Sequence, residues 1–86
     1  MLVKTNTSGK KEHMTLLLAP TKVQLRVYKI VADEKIKKHL ESLGITINSI
    51  LSILLNQAGT TIVLVKEARY ALDNNLARSI FVTPLA

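Results

Sequence analysis

Residues 33–45 read Asp33-Glu34-Lys35-Ile36-Lys37-Lys38-His39-Leu40-Glu41-Ser42-Leu43-Gly44-Ile45, and this stretch decides the fold. Ile36, Leu40 and Leu43 stand at i, i+4 and i+7, which makes them one apolar stripe of an α-helix. Asp33 is placed to cap that helix, because its carboxylate can accept from the unpaired amides of the first turn. Gly44 suits the position just past the helix end, where a left-handed backbone costs glycine almost nothing. Ile45 then opens a strand-like pattern. Strand periods flank the segment on both sides, so the helix is a lone insertion in a small β-protein.

Upstream, Thr15 begins an apolar run to Ala19 that leads into a turn near Pro20-Thr21. Val23-Gln24-Leu25-Arg26-Val27 alternates strictly, which predicts a half-buried strand, and Tyr28 to Val31 continues it with a change of phase. Downstream, Ile45, Ile47, Leu51, Ile53 and Leu55 share one parity and predict a long strand, bent or bulged near Asn48-Ser49. Asn56-Gln57-Ala58-Gly59-Thr60 carries hairpin chemistry, with Gly59 able to take a positive φ. Ile62-Val63-Leu64-Val65 reads as a central strand, and Arg69-Tyr70-Ala71-Leu72 pairs back after a tight turn at Lys66-Glu67-Ala68. Asp73 can cap a single helical turn through Asn74, Asn75, Leu76 and Ala77, and Ser79-Ile80-Phe81-Val82 is the closing strand, ended by Pro84. The expected fold class is mainly β: a small barrel of about five strands with one inserted α-helix and a short C-terminal helical turn. Closure removes sheet edges that a chain this small cannot otherwise cover.

The 86 residues make one domain. The chain has no cysteine, which excludes disulfides, thiolate metal sites and a cysteine nucleophile. No apolar run approaches the roughly 18–20 residues of a membrane helix, and a cytoplasmic protein is the expectation. The net charge is +6, but the helix balances Lys35, Lys37 and Lys38 against Asp33, Glu34 and Glu41, and much of the remainder is scattered. That distribution describes a basic surface rather than a dedicated nucleic-acid face. Residues 1–13, with Lys4, Lys10 and Lys11, read as a disordered basic tail, and residues 14–86 as the folded domain.

From about residue 15 to residue 82 the chain resembles the FeoA family, SH3-like barrels associated with bacterial ferrous-iron transport. Four segments carry the resemblance. The helix ends in His39-Leu40-Glu41-Ser42-Leu43-Gly44-Ile45, similar to the family's leucine-glycine-aliphatic turn. The long aliphatic strand from Ser49 to Leu55 and the central strand Thr61-Ile62-Val63-Leu64-Val65 follow in the family's order. Tyr70-Ala71-Leu72-Asp73-Asn74-Asn75-Leu76-Ala77-Arg78-Ser79-Ile80-Phe81-Val82 resembles an alanine-leucine, short turn, leucine-alanine, aliphatic strand signature. Three turns depart from the pattern. Thr46-Ile47-Asn48 stands where the family has proline-glycine, Ala19-Pro20-Thr21 lacks a glycine, and Lys66-Glu67-Ala68 replaces another. Asn48 is the best substitute, since asparagine tolerates left-handed geometry. The resemblance implies an accessory protein, not a catalyst, acting in the cytosol on the GTP-binding part of a membrane ferrous-iron transporter; no cofactor is expected. A similar domain forms the C-terminal module of iron-dependent repressors, where it makes protein contacts.

The residues themselves offer few chemical sites. A transition metal wants three or more converging ligands. His39 is the weak metal candidate, yet Lys35, Ile36, Ser42 and Leu43 fill its neighbouring helix positions, so it reads as a solvated histidine. No serine has a paired base at a recognisable spacing, and the three glycines are scattered singly, so neither a nucleophile nor a phosphate loop is present. Lys35, Lys37 and Lys38 are the candidate partner-binding residues, facing outward to meet an acidic surface. A single-stranded RNA platform is the alternative, with Tyr28 and Tyr70 beside Arg26, Lys29 and Arg69, against packing of both rings at the core edge. A divalent-metal module is a further alternative. Phe81 reads as core. Ile50 and Leu54, on the nominally outer parity of the long strand, read as buried beneath the helix, with a contact patch as the other reading.

Overall fold

The structure, a computed structural model, describes residues 14–85; the expected basic tail at 1–13, with His13, lies outside them. Six strands form one antiparallel sheet: β1 (Met14–Thr15), β2 (Leu25–Ile30), β3 (Ile50–Gln57), β4 (Thr60–Val65), β5 (Ala68–Asp73) and β6 (Ile80–Pro84). Helix α1 (Glu34–Ser42) lies between β2 and β3, and α2 (Asn74–Ser79) between β5 and β6. The spatial order is β1-β6-β2-β3-β4-β5, so the first and last strands of the chain meet in the sheet. Every neighbouring pair is antiparallel. The two-residue β1 adds a sixth strand to the five expected. Strands β1 and β5 are the edges, and α2 packs against β1, β4, β5 and β6, so a helical turn fills the gap between them.

Local chemistry accounts for α1. Asp33 accepts from Ile36 N at 2.9 Å, the capping bond read from the sequence. At the other end Gly44 N donates to Glu41 O and Ile45 N to Leu40 O, both at 2.9 Å, with Gly44 at φ +87°. This paired closure is a Schellman motif, and its usual apolar contact is present because Leu40 and Ile45 are both fully buried. Ile36 and Leu43 pack against the same core. Asp73 repeats the capping device on α2, accepting from Leu76 N at 2.9 Å.

The inner faces of the strands supply the core. Leu25, Val27, Leu51, Ile53, Val63, Val65, Leu72, Ile80 and Val82 alternate with outward residues and are buried. The phase change expected at Tyr28 is a bulge: Val27 faces Val82 and Lys29 faces Phe81, which leaves Tyr28 as the extra residue. Other expectations shift. Val23 precedes the strand and is 41% exposed, so β2 starts two residues later than the alternation suggested. The long strand does not begin at Ile45. Residues 46–49 form a turn in which Ser49 N donates to Thr46 O, and Ile47 points outward with 52% exposure. Asn48 takes φ +75°, the left-handed geometry that asparagine tolerates. The bulge of β3 lies instead between Ile53 and Leu55. The β3–β4 hairpin turns through Ala58 and Gly59, both at positive φ, as a two-residue type I′ turn requires.

One core position is mismatched to its surroundings. Thr61 is fully buried, and its hydroxyl has no hydrogen-bond partner. An unpaired buried hydroxyl costs about 1–3 kcal/mol, while valine has nearly the same shape. Thr61→Val should therefore raise the unfolding free energy by about 1 kcal/mol or more, read as a shift of the urea midpoint at constant slope. A loss of stability would show that the hydroxyl is satisfied.

Candidate functional site

Helix α1 is anchored by Leu40, Ile36 and Leu43, which leaves its other face to solvent. Lys35, Lys37, Lys38 and His39 are all exposed there. The three lysines do not make one uniform patch. Glu34 and Lys38, and Lys37 and Glu41, are four residues apart and so stand as neighbours on the helix surface. These four side chains rim a groove of about 290 Å³ whose apolar lining is Ile30, Ile45 and Ile47. Lys35 lies on the adjacent face beside Lys38. The helix therefore offers mixed charge above an apolar groove.

His39 sits in the last turn of α1 with no ligand partner on the helix. Among the described residues no group of three or more His, Asp or Glu side chains could hold a metal ion. Ile50 is 39% exposed rather than buried beneath α1, and Leu54 is half-buried. With Ile47, Leu64 and Lys66, Ile50 lines an open groove beside the 46–49 turn. The reason is the turn itself, which ends the apolar parity early and starts β3 facing outward.

The aromatic residues are sorted differently from the sequence reading. Tyr70 faces Val63 on the inner side of β5 and packs against the core, far along the sheet from β2. Tyr28 is 46% exposed on the opposite limb, so the two rings do not form a shared platform. Phe81, expected in the core, is half-buried on the outer face of β6, because Ile80 and Val82 take the two inward positions. Lys29 Nζ lies 5.4 Å from the centre of its ring, a cation–π contact across the β2–β6 pair. Arg26 stands on the same outer face, opposite Thr83 on one side and Ile50 on the other. This outer face keeps Arg26, Tyr28 and Lys29 of the platform read from the sequence, with Phe81, the member that sequence reasoning missed, in place of Tyr70. The phase change at Tyr28 leaves Tyr28 and Lys29 both on the exposed side of β2, with Lys29 opposite Phe81.

No helix among the described residues is long and apolar enough to cross a membrane. Comparison with known proteins gives the same architecture repeatedly. An iron uptake regulatory protein, FeoA, aligns with a TM-score of 0.80 at 23% identity, over 86% of this chain and all of that one. A manganese-dependent transcriptional repressor aligns at 0.80 and 24% identity, over 92% of this chain. This chain spans 45% of that repressor. A FeoA-like protein from Clostridium acetobutylicum aligns at 0.73 and 19% identity, over 87% of this chain and 90% of that one. No curated protein matches the sequence. The FeoA domain family matches residues 14–84, which take in all six strands. By that match, the chain belongs to the FeoA family.

Proposed function

We propose that this protein is a non-catalytic, cytoplasmic regulator of ferrous-iron transport that binds the cytosolic GTP-binding part of the iron transporter. The observation that carries the reading is the family match over residues 14–84, which takes in both helices as well as the sheet. The exposed cations of α1 support it, since Lys35, Lys37 and Lys38 give an acidic partner surface a place to approach. A bound regulator moves a transporter equilibrium only through different affinities for its two states. Nucleotide-dependent binding is thus the signature of the mechanism.

Titration of this chain against the soluble GTP-binding domain of a ferrous-iron transporter, with and without guanine nucleotide, tests the proposal. Saturable binding whose affinity changes with nucleotide is the expected result. Salt should weaken the association, because exposed charges are screened beyond about 10 Å at 0.1 M ionic strength. Binding that is absent up to high micromolar protein would remove direct contact with this domain.

A further inference from the structure

The outer face of β2 and β6 brings cations and exposed aromatic and aliphatic side chains together. Arg26, Tyr28 and Lys29 come from β2, and Phe81 from β6. Arg78, in the last turn of α2, lines a shallow groove with Phe81 and Val31. Tyr28 is 46% exposed and Val31 56%, so apolar surface lies open between the cations. Arginine and tyrosine are enriched among protein-binding hot spots. No carboxylate occurs in β1, β6, β2 or α2, so nothing on these elements neutralises Arg26, Lys29 and Arg78. The α1 ridge differs in this respect, because Glu34 and Glu41 interleave with its lysines.

We infer that the β2–β6 outer face anchors an acidic protein segment that also carries apolar side chains, with carboxylates meeting Arg26, Lys29 and Arg78 and the apolar groups covering Tyr28 and Val31. A second copy presenting this same face does not fit, because it would bring three cations against three cations. Single-stranded nucleic acid fits less well than a protein. Base stacking needs rings with open faces, and Lys29 already lies over Phe81 at 5.4 Å. The site adjoins the α1 groove: Ile30 lines that groove and the next residue, Val31, lines this one. The inference rests on the function proposed above for the identity of the partner, and assigns the lysines of α1 to approach and the β2–β6 face to retention.

The experiment is an amide chemical-shift titration of the full chain with a synthetic peptide alternating glutamate with leucine and phenylalanine. Shifts centred on residues 26–31 and 78–81 are expected. Arg26→Glu with Lys29→Glu should weaken binding at least roughly tenfold, and Tyr28→Ala about threefold or more. Arg26→Glu alone keeps the answer readable if the double variant unfolds. Shifts confined to α1 or to the 46–52 groove would overturn the inference, as would tighter binding of a single-stranded RNA at residues 26–31. The same variants are then titrated with the transporter's GTP-binding domain. Unchanged affinity of Arg26→Glu with Lys29→Glu for that domain removes the inference and keeps the regulator. A peptide map on this face without binding of the domain keeps the anchor and removes that partner.

Discussion

Leu40→Ala is expected to lower the unfolding free energy by about 2–5 kcal/mol, the range for emptying a buried leucine site. Leu40 is the one buried residue of α1 and is fully enclosed. Its carbonyl also accepts the closing bond from Ile45 N, whose own side chain is fully buried against the core. The truncation therefore loosens the helix stripe and the apolar contact of the helix end together. A domain of this size buries only about 60% of its unfolded surface and has little stability to spare. The consequence reaches function, since every candidate residue of α1 is held in place through this stripe. Urea denaturation followed by far-UV circular dichroism reads the effect as a fall in midpoint. Leu40→Met, which preserves volume, should cost less than about 1.5 kcal/mol. His39→Ala, one residue away and exposed, should fall within about 0.5 kcal/mol of the parent. A Leu40→Ala loss under 1 kcal/mol would mean that α1 is not docked through this side chain.

The legible parts of the fold were those specified within a few residues. Asp33, Asp73 and Gly44 announced the helix ends because a cap is a contact between near neighbours, and the bonds are present at 2.9 Å. The bulge at Tyr28 was legible as a broken alternation, since a two-residue period has no other way to change phase. The parts that stayed hidden depend on partners distant in sequence. Ile47 shares the parity of Ile45 and Leu51, yet it points outward because Asn48 reverses the chain and Asn48 N donates to Val27 O across the sheet. Phe81 lies in the unbroken apolar run Ile80-Phe81-Val82, where periodicity cannot say which residues face in. Pairing with β2 decides it. Lys22 and Lys66 take positive φ without any sequence signal, since lysine does not advertise left-handed geometry. The helix lysines were readable as a candidate site because a helix displays its own surface. The β2–β6 face required the register.

Reversing Lys35, Lys37 and Lys38 together to glutamate should reduce affinity for the transporter's GTP-binding domain by roughly tenfold to a hundredfold at low salt, almost entirely through a slower association rate. Six units of charge change around the solvent-exposed side of α1, turning an attractive approach into a repulsive one. None of the three residues is buried, so the change leaves the apolar stripe of Ile36, Leu40 and Leu43 intact and the fold should persist. The salt response is the discriminating part. Parent binding should weaken as ionic strength rises, while the variant should lose that dependence or reverse it, because screening then relieves repulsion. Dissociation should change little, since rim charges act on encounter whereas retention belongs to buried, shape-matched contacts. Kinetics measured at two ionic strengths separate these terms. An unchanged association rate would remove α1 from the encounter and leave the cations of β2 and α2, Arg26, Lys29 and Arg78, as the charges that steer it.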